Sequence, residues 1–440
     1  MGSFTFLKSA GWAPWLPLLA VISIPFGRSV ELFVLIMAVI GLFDLIKNHQ
    51  NLRQSFGFKA FTLVFICFML PALLSLPDAF DFKHSATSLI GMARFYFAGL
   101  FIINRITNYN IHLWLATGIG CVLAFWGVDA WWQQISGHDL LGLPPFSSGR
   151  ISGIFSENAE LGLMIIPFLG VAIAAFKERI NVYAAMIFTL LSVSVILISG
   201  DRAAWVSLLA TAVLWILLFR PKNFKFSKNH FFISISGIVL IAVAVFNTPQ
   251  FQARLDKSLV GFSGNYESVN TASSFRLPIW NVALSMFADN PINGVGVRSF
   301  RYAYPDYAQP DDIFVDKALP REQQVGAYQP HQIVLEFLAE MGIIGIIGFM
   351  AAIWILFVKW YPVVRSQQSA LASGYLISLM AILFPINSHL SSFSSSWAQV
   401  IWLLVALCVS AMVIEKRDDG IKDIKCDAAK SATAELKVGL

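Results

Sequence analysis

The sequence predicts an all-α integral membrane protein of about twelve transmembrane helices with one long outward loop. Three observations predict it. The chain is 57% hydrophobic and 13% charged, where a soluble chain carries about 25% charged residues, and its mean hydropathy is +0.68. Apolar runs of about 17–25 residues recur, long enough for helices to cross the hydrocarbon core with their backbone hydrogen bonds closed inside each segment. The series is interrupted once at length, by a polar, arginine-bearing stretch from residue 248 to 331.

The runs fall at 11–26, 30–46, 59–76, 86–104, 110–132, 159–176, 180–199, 203–220, 231–248, 332–358, 369–387 and 396–414. The first is expected to be retained, because Pro14, Trp15 and Pro17 interrupt it and no small-residue cleavage site follows. No internal repeat of solenoid length is evident. The chain therefore divides into spans 1–9 (1–247), an outward loop (248–331), spans 10–12 (332–414) and a tail (415–440).

Orientation follows from Lys and Arg in short loops. Lys8, Lys47, Arg53, Lys59, Arg105, Lys177, Arg179, Arg220, Lys222, Lys225, Lys228, Lys359 and Arg365 fall at the N-terminus and in the even-numbered loops, and the tail is also basic. The short odd-numbered loops hold Arg28, Lys83, Arg150 and Arg202. Both termini are expected in the cytoplasm, with the 248–331 loop outside. The net charge of +5 is this topogenic bias and does not indicate nucleic-acid binding. Cys67, Cys121, Cys408 and Cys426 lie outside the long loop, so no disulfide braces it.

The loop contains helical signals. Ser273-Ser274 can cap a helix, and Pro278 suits its first turn. Leu277, Trp280, Leu284 and Phe287 repeat at helical spacing, which predicts an amphipathic helix at the membrane interface. Asn290-Pro291 ends it, and Gly294-Val-Gly296 turns the chain.

Several residues carry possible chemistry. Arg276 sits in the first turn of that helix, where a cation opposes the helix dipole unless an anion is bound there too; the structural alternative is a side chain reaching lipid headgroups. Arg202 lies in the short outward turn Ser199-Gly200-Asp201-Arg202, as a second phosphate clamp or a local partner of Asp201. His331 opens span 10 and shares a helical face with Leu335, Leu338, Gly342 and Gly345, the glycines allowing close helix approach; an imidazole there can act as base or orienter, or be structural. Arg94 inside span 4 is expected to be paired or functional. Asp129 in span 5 is similar, and His389 lies in an outward polar turn. Asp311-Asp312 reads as a solvated acidic pair. No His/Cys ligand spacing, Walker loop or dinucleotide fingerprint is present, so no metal or cofactor is expected.

The pattern His331-x-x-x-Leu335-x-x-Leu338-x-Glu340-x-Gly342-x-x-Gly345 resembles the signature of the bacterial O-antigen ligase and polymerase superfamily. Three upstream segments agree in order: Arg150-Ile-Ser-Gly153-Ile-Phe155-x-x-Asn158, Ser199-Gly-Asp201-Arg202-Ala-Ala-Trp205, and Ser274-Phe-Arg276-Leu-x-Ile-Trp280 with Asp289-Asn-Pro291-x-x-Gly294-Val-Gly296. The resemblance implies an inverting, metal-independent GT-C-type glycosyltransferase acting at the periplasmic face of the bacterial inner membrane. Its donor would be a glycan on undecaprenyl pyrophosphate, and for a ligase its acceptor a sugar hydroxyl of lipid A–core. It assigns catalysis to Arg202, Arg276 and His331, with Arg150, Arg94 and His389 as further substrate contacts. Asp201, where many members have a small or hydroxyl residue, and Gln332, where Asn is common, depart from the pattern. Within the superfamily the alternatives are a polymerase and a protein O-oligosaccharyltransferase; one dominant outward loop and a short tail favour the ligase. A lipid-linked glycan transporter would instead show inverted halves and several charges at membrane depth.

Overall fold

The structure is a computed structural model that describes residues 11–146, 149–156, 160–219, 228–365, 370–384 and 390–414. His389, Asn158 and the tail from 415 lie outside the described residues. The chain runs through α1 (Trp15–Ile22), α2 (Val30–Lys47), α3 (His49–Gln54), α4 (Phe56–Leu74), α5 (Phe82–Arg105), α6 (Tyr109–Ser136), α7 (Leu161–Arg179), α8 (Val182–Ile198), α9 (Arg202–Phe219) and α10 (Lys228–Phe246). The polar interruption holds α11 (Pro249–Leu259), α12 (Tyr266–Ala272), α13 (Leu277–Asp289) and α14 (Phe300–Tyr307). Then come α15 (Ile333–Arg365), α16 (Ala370–Ile382) and α17 (Ser395–Ile414). Among the described residues there is no strand, only an isolated bridge between Phe146 and Arg150.

Every predicted run contains a helix, but fewer reach spanning length than the sequence suggests. Among the described residues, seven helices are long and apolar enough to cross a membrane: Ile24–Lys47, Phe56–Leu74, Phe82–Arg105, Tyr109–Ser136, Leu161–Arg179, Ile333–Trp360 and Ser395–Ile414. Val182–Ile198, Arg202–Val213 and Ala370–Ile382 are apolar but shorter. Ile235–Phe246 and Phe251–Leu259 form one bent pair with an angle of 84°. The first run yields only the short α1, because Pro25 follows it and the chain turns through Gly27.

Helix starts follow local chemistry. Ser55, Asp81, Asn108 and Asn181 accept amides of the first turns of α4, α5, α6 and α8. α7 and α17 are mostly enclosed by other helices. On α2, Leu32, Leu35, Val39, Phe43 and Ile46 are exposed, a stripe suited to lipid contact.

The segment after α10 has its own hydrophobic core. Ile279, Val282, Ala283 and Met286 of α13 pack with Val295, Phe300, Tyr304 and Ala339. The side of α13 buried in this core is the Ile279 side, while Leu284 of the stripe predicted to face the membrane interface is 49% exposed. α13 is apolar on two sides, and the packing partners chose the Ile279 side, leaving the Leu284 side outward. Asp312 is also not solvated as predicted; it is buried and accepts bonds from Tyr304 Oη (2.9 Å) and Phe314 N (2.8 Å).

α15 is broken at Gly342, whose φ of 59° and ψ of −153° belong to a region open essentially to glycine. The segment 291–296 enters the break. Val295 and Gly296 amides donate to the carbonyls of Ala339 (2.9 Å) and Glu340 (3.0 Å), while Ile343 and Ile344 amides donate to Pro291 (2.9 Å) and Ile292 (3.3 Å). Side chains on Gly294 or Gly342 would collide with the opposite backbone. The close approach expected at Gly342 is therefore to a loop, not to a helix. Gly342→Ala should lower stability by at least about 1–3 kcal/mol from backbone strain, with collision against Ile292 adding to it; the melting temperature in detergent measures the loss.

Candidate active site

The odd-numbered connections meet on one face of the bundle. The α4–α5 connection reaches the 295–299 segment through Phe80 N to Val295 O (2.9 Å) and Asp81 N to Ser299 Oγ (3.1 Å). The 390–393 segment before α17 reaches α15 through Ser392 N to Glu336 Oε1 (3.0 Å). The α6–α7 and α8–α9 connections meet where Arg150 Nε donates to Ser199 O (3.3 Å).

Arg150 is presented by a tightly pinned loop. Phe146 and Arg150 close a short turn. Asp129 of α6 accepts the amides of Leu140 (2.8 Å) and Ile154 (2.6 Å), and Gln133 Oε1 accepts those of Ser152 and Gly153 (both 2.9 Å). Asp129 is thus an anchor beneath the loop, buried and saturated with backbone donors.

The Ser199–Arg202 turn lies below Arg150. A Cβ on Gly200 would lie 3.4 Å from Cγ of Arg254 and 3.8 Å from Cγ of Arg150, so these two side chains cross the same glycine. Asp201 Oδ1 accepts Ala203 N (3.1 Å) at the head of α9, and its carboxylate feels Arg150 and Arg276. Arg202 does not fold back onto Asp201. It donates to Ser258 Oγ on α11 (3.3 Å), to the carbonyl of Ala272 and to Ser274 Oγ. It therefore ties α9 to α11 and to the turn before α13.

That turn is strained. Ser274 and Phe275 have φ of 62° and 61°, left-handed values that are uncommon for non-glycine residues. They end α12 and deliver Arg276 as the N-cap of α13, with its amide on Ser273 Oγ (3.3 Å). The helix thus starts later than a Ser273 or Ser274 cap predicts, since both serines serve the turn. One helical turn on, Trp280 Nε1 donates to Pro330 O (3.0 Å), which brings the Arg276 end of α13 to the residue before His331.

Four arginines, Arg150, Arg202, Arg254 and Arg276, therefore gather around Asp201, with Glu160 beside Arg150. Burial holds Arg150 and Arg276 below the ordinary guanidinium range, with Asp201 opposing the shift. Burial pushes the Asp201 and Glu160 carboxyls up, with Arg150 opposing. Guanidinium groups outnumber carboxylates in a desolvated setting, which suits a multivalent anion.

His331 precedes α15 instead of opening it. Its φ is 55°, and the helix starts at Ile333 with Gln332 Oε1 accepting Leu335 N (2.6 Å) as a side-chain cap. His331 Nδ1 lies 3.2 Å from Gln329 Nε2. Arg94 is placed apart from the arginine group: it pairs with Glu31 (Nε–Oε2 3.0 Å) and donates to Ser395 Oγ (2.8 Å) at the head of α17. Arg254, Gln329 and Glu336 were missed in the sequence. Arg254 sits in a polar helix where an arginine carries no local signal, and Gln329 and Glu336 act through contacts distant in sequence.

No group of three or more His, Cys, Asp or Glu with metal-binding geometry occurs among the described residues. Asp129→Ala should strand the buried amides of Leu140 and Ile154, costing about 1–3 kcal/mol for each, and should weaken anion binding by releasing Arg150; detergent melting and donor-binding titration report the two effects separately.

No curated protein matches the chain. The family model described as O-antigen ligase matches residues 187–350, a stretch that runs from α8 through Arg202, Arg254, Arg276 and His331 to the break in α15. Over that stretch the chain is similar to the O-antigen ligase and polymerase superfamily.

Proposed function

We propose that the protein is an O-antigen ligase: it moves a glycan en bloc from undecaprenyl pyrophosphate to a sugar hydroxyl of lipid A–core, with inversion and without a metal, at the periplasmic face of the inner membrane. The observation that carries this reading is the gathering of Arg150, Arg202, Arg254 and Arg276 beside the turn that bears His331. A GT-C-type arrangement fits the same picture, with lipid substrates entering from the bilayer and reacting at its outer edge.

Pyrophosphate leaves with the electron pair of the anomeric C–O bond, so negative charge grows on the leaving group as the bond breaks. Guanidinium groups already fixed in place stabilise that charge without reorganising. Arg202 is held by Ser258, Ala272 and Ser274, and the backbone of Arg276 is set as the N-cap of α13. His331 engages the acceptor hydroxyl on the opposite side of the sugar. Arg150 and Arg254 complete the pyrophosphate site. Arg94 and His389 are the remaining candidate substrate contacts, Arg94 through a side chain shared with Glu31.

The test is transfer in vitro in buffer containing EDTA, with undecaprenyl-pyrophosphate-linked glycan and lipid A–core. A ladder on lipid A–core is expected from the wild-type protein. Arg202→Ala, Arg276→Ala and His331→Ala should each slow it by about 10²–10³-fold, the effect of removing one preorganised charge-stabilising group. Growth of the undecaprenyl-linked glycan with lipid A–core unmodified would make the protein a polymerase. Transfer that vanishes in EDTA and returns with a divalent cation would refute the metal-independent reading.

A further inference from the structure

The segment around α14 carries arginines besides the four that gather at Asp201. Two of them are engaged. Arg321 pairs with Asp306 (Nε–Oδ1 2.6 Å) and donates to Tyr302 O (3.2 Å). Arg298 lies beside the buried carboxylates of Glu336 and Glu340, and its amide donates to Glu340 Oε2 (2.8 Å). Arg301 differs: among the described residues it makes no ion pair. Its guanidinium Cζ lies 4.0 Å from the centre of the Tyr328 ring and 5.4 Å from that of Tyr302. Its Nε is buried and meets no acceptor among the described residues, although buried donors are nearly always paired. Stacking covers the flat face of a guanidinium and leaves the N–H groups in its plane to donate to a carboxylate or phosphate.

Tyr328 is 64% exposed, although its neighbours Ala327 and Gln329 are buried. The backbone beneath it is anchored. Gly326 N donates to Arg301 O (2.8 Å), and a Cβ on Gly326 would fall 2.1 Å from Cδ1 of Tyr304. Trp280 Nε1 holds Pro330 O on the other side (3.0 Å). Tyr302 extends the aromatic surface, its ring edge-on to His84 at the head of α5 with centres 5.1 Å apart. A cation stacked on an exposed ring returns less stability than an unpaired buried donor costs. The pair therefore gains by binding a ligand that brings an acceptor.

We infer that Arg301 and Tyr328 form a saccharide subsite, which takes a sugar ring on Tyr328 and an anionic substituent of that sugar, phosphate or carboxylate, on Arg301. A pyranose has an apolar C–H face with hydroxyls at its rim, and the tyrosine ring matches it with an apolar face and a polar tip. Tyr328 is three residues from His331, hence no more than about 11 Å away along the chain. In the ligase reading His331 meets the acceptor, so the sugar on Tyr328 belongs to the acceptor. Only that assignment rests on the ligase reading; the binding of an anionic saccharide does not. The pair would set which acceptors are used, while the four arginines around Asp201 hold the donor.

Two measurements on the full-length protein in phosphatidylcholine nanodiscs test this. The first is calorimetric titration with a soluble, phosphorylated core oligosaccharide freed of lipid A, and with the same oligosaccharide after phosphatase treatment. The wild-type protein should bind the phosphorylated form roughly ten- to a hundredfold more tightly, the effect of a charge-assisted hydrogen bond. Arg301→Gln should erase that difference. Tyr328→Ala should weaken both forms equally, and Tyr328→Phe should retain binding. No binding of either form by wild type, or no preference between them, would overturn the subsite whether or not the protein is a ligase. Loss of bound anionic phospholipid in Arg301→Gln, with saccharide binding unchanged, would make Arg301 a lipid-headgroup contact and overturn it too. The second measurement is transfer kinetics. Arg301→Gln and Tyr328→Ala should raise the acceptor KM about tenfold with kcat and the donor KM near wild type. A fall in kcat at unchanged acceptor KM would reduce the pair to a brace of the His331 turn. Wild-type protein that binds as expected yet transfers nothing to lipid A–core would refute the ligase reading and leave the subsite standing.

Discussion

The architecture depends on one constraint: a backbone broken inside an apolar bundle must find new partners for its freed amides and carbonyls. α15 breaks at Gly342, and the 291–296 segment fills the break, bonded on both sides of it. This places the end of α13. The head of the same helix carries Arg276, and Trp280 one turn later reaches Pro330. Pro330 leads through His331 back into α15. The circuit from the break, through α13, to the start of the broken helix is closed by covalent and hydrogen bonds alone. It holds Arg276 and His331 in a fixed relation although they are 55 positions apart in the numbering.

A second circuit supplies the rest of the charge. Asp129 and Gln133 of α6 hold the Arg150 loop by four backbone amides. Arg150 meets the Ser199 carbonyl, and Arg202 of the same turn reaches the residues just before Arg276. The turn is short because Gly200, at φ 66°, lets Arg254 and Arg150 lie across it. Asp201 beneath them moderates the repulsion among the guanidinium groups. Like charges assembled in this way store electrostatic energy that a bound multivalent anion would release.

Backbone strain concentrates near the same place. The non-glycine residues with positive φ include Ser274, Phe275, Arg298 and His331. Each lies beside an arginine or histidine of the site or beside the buried Glu340. Such conformations cost about 1–3 kcal/mol each and persist where surrounding contacts over-determine them. Here the contacts are those of Arg202 on Ser274, Glu340 on the Arg298 amide, and Gln329 on His331.

The sequence alone determined the all-helical membrane class and the order of the helices, because hydropathy is a local property, and its short motifs marked Arg202, Arg276 and His331 as candidates. Helix lengths were less legible. Breaks such as the one between α10 and α11 depend on how neighbours accept a freed backbone, so several apolar runs give short or bent helices. Only the tertiary structure decided that Asp129 is an anchor, that α13 buries its Ile279 side, that Arg94 pairs with Glu31 and that Arg254 joins the arginine group. Each of these rests on a partner far away in the chain.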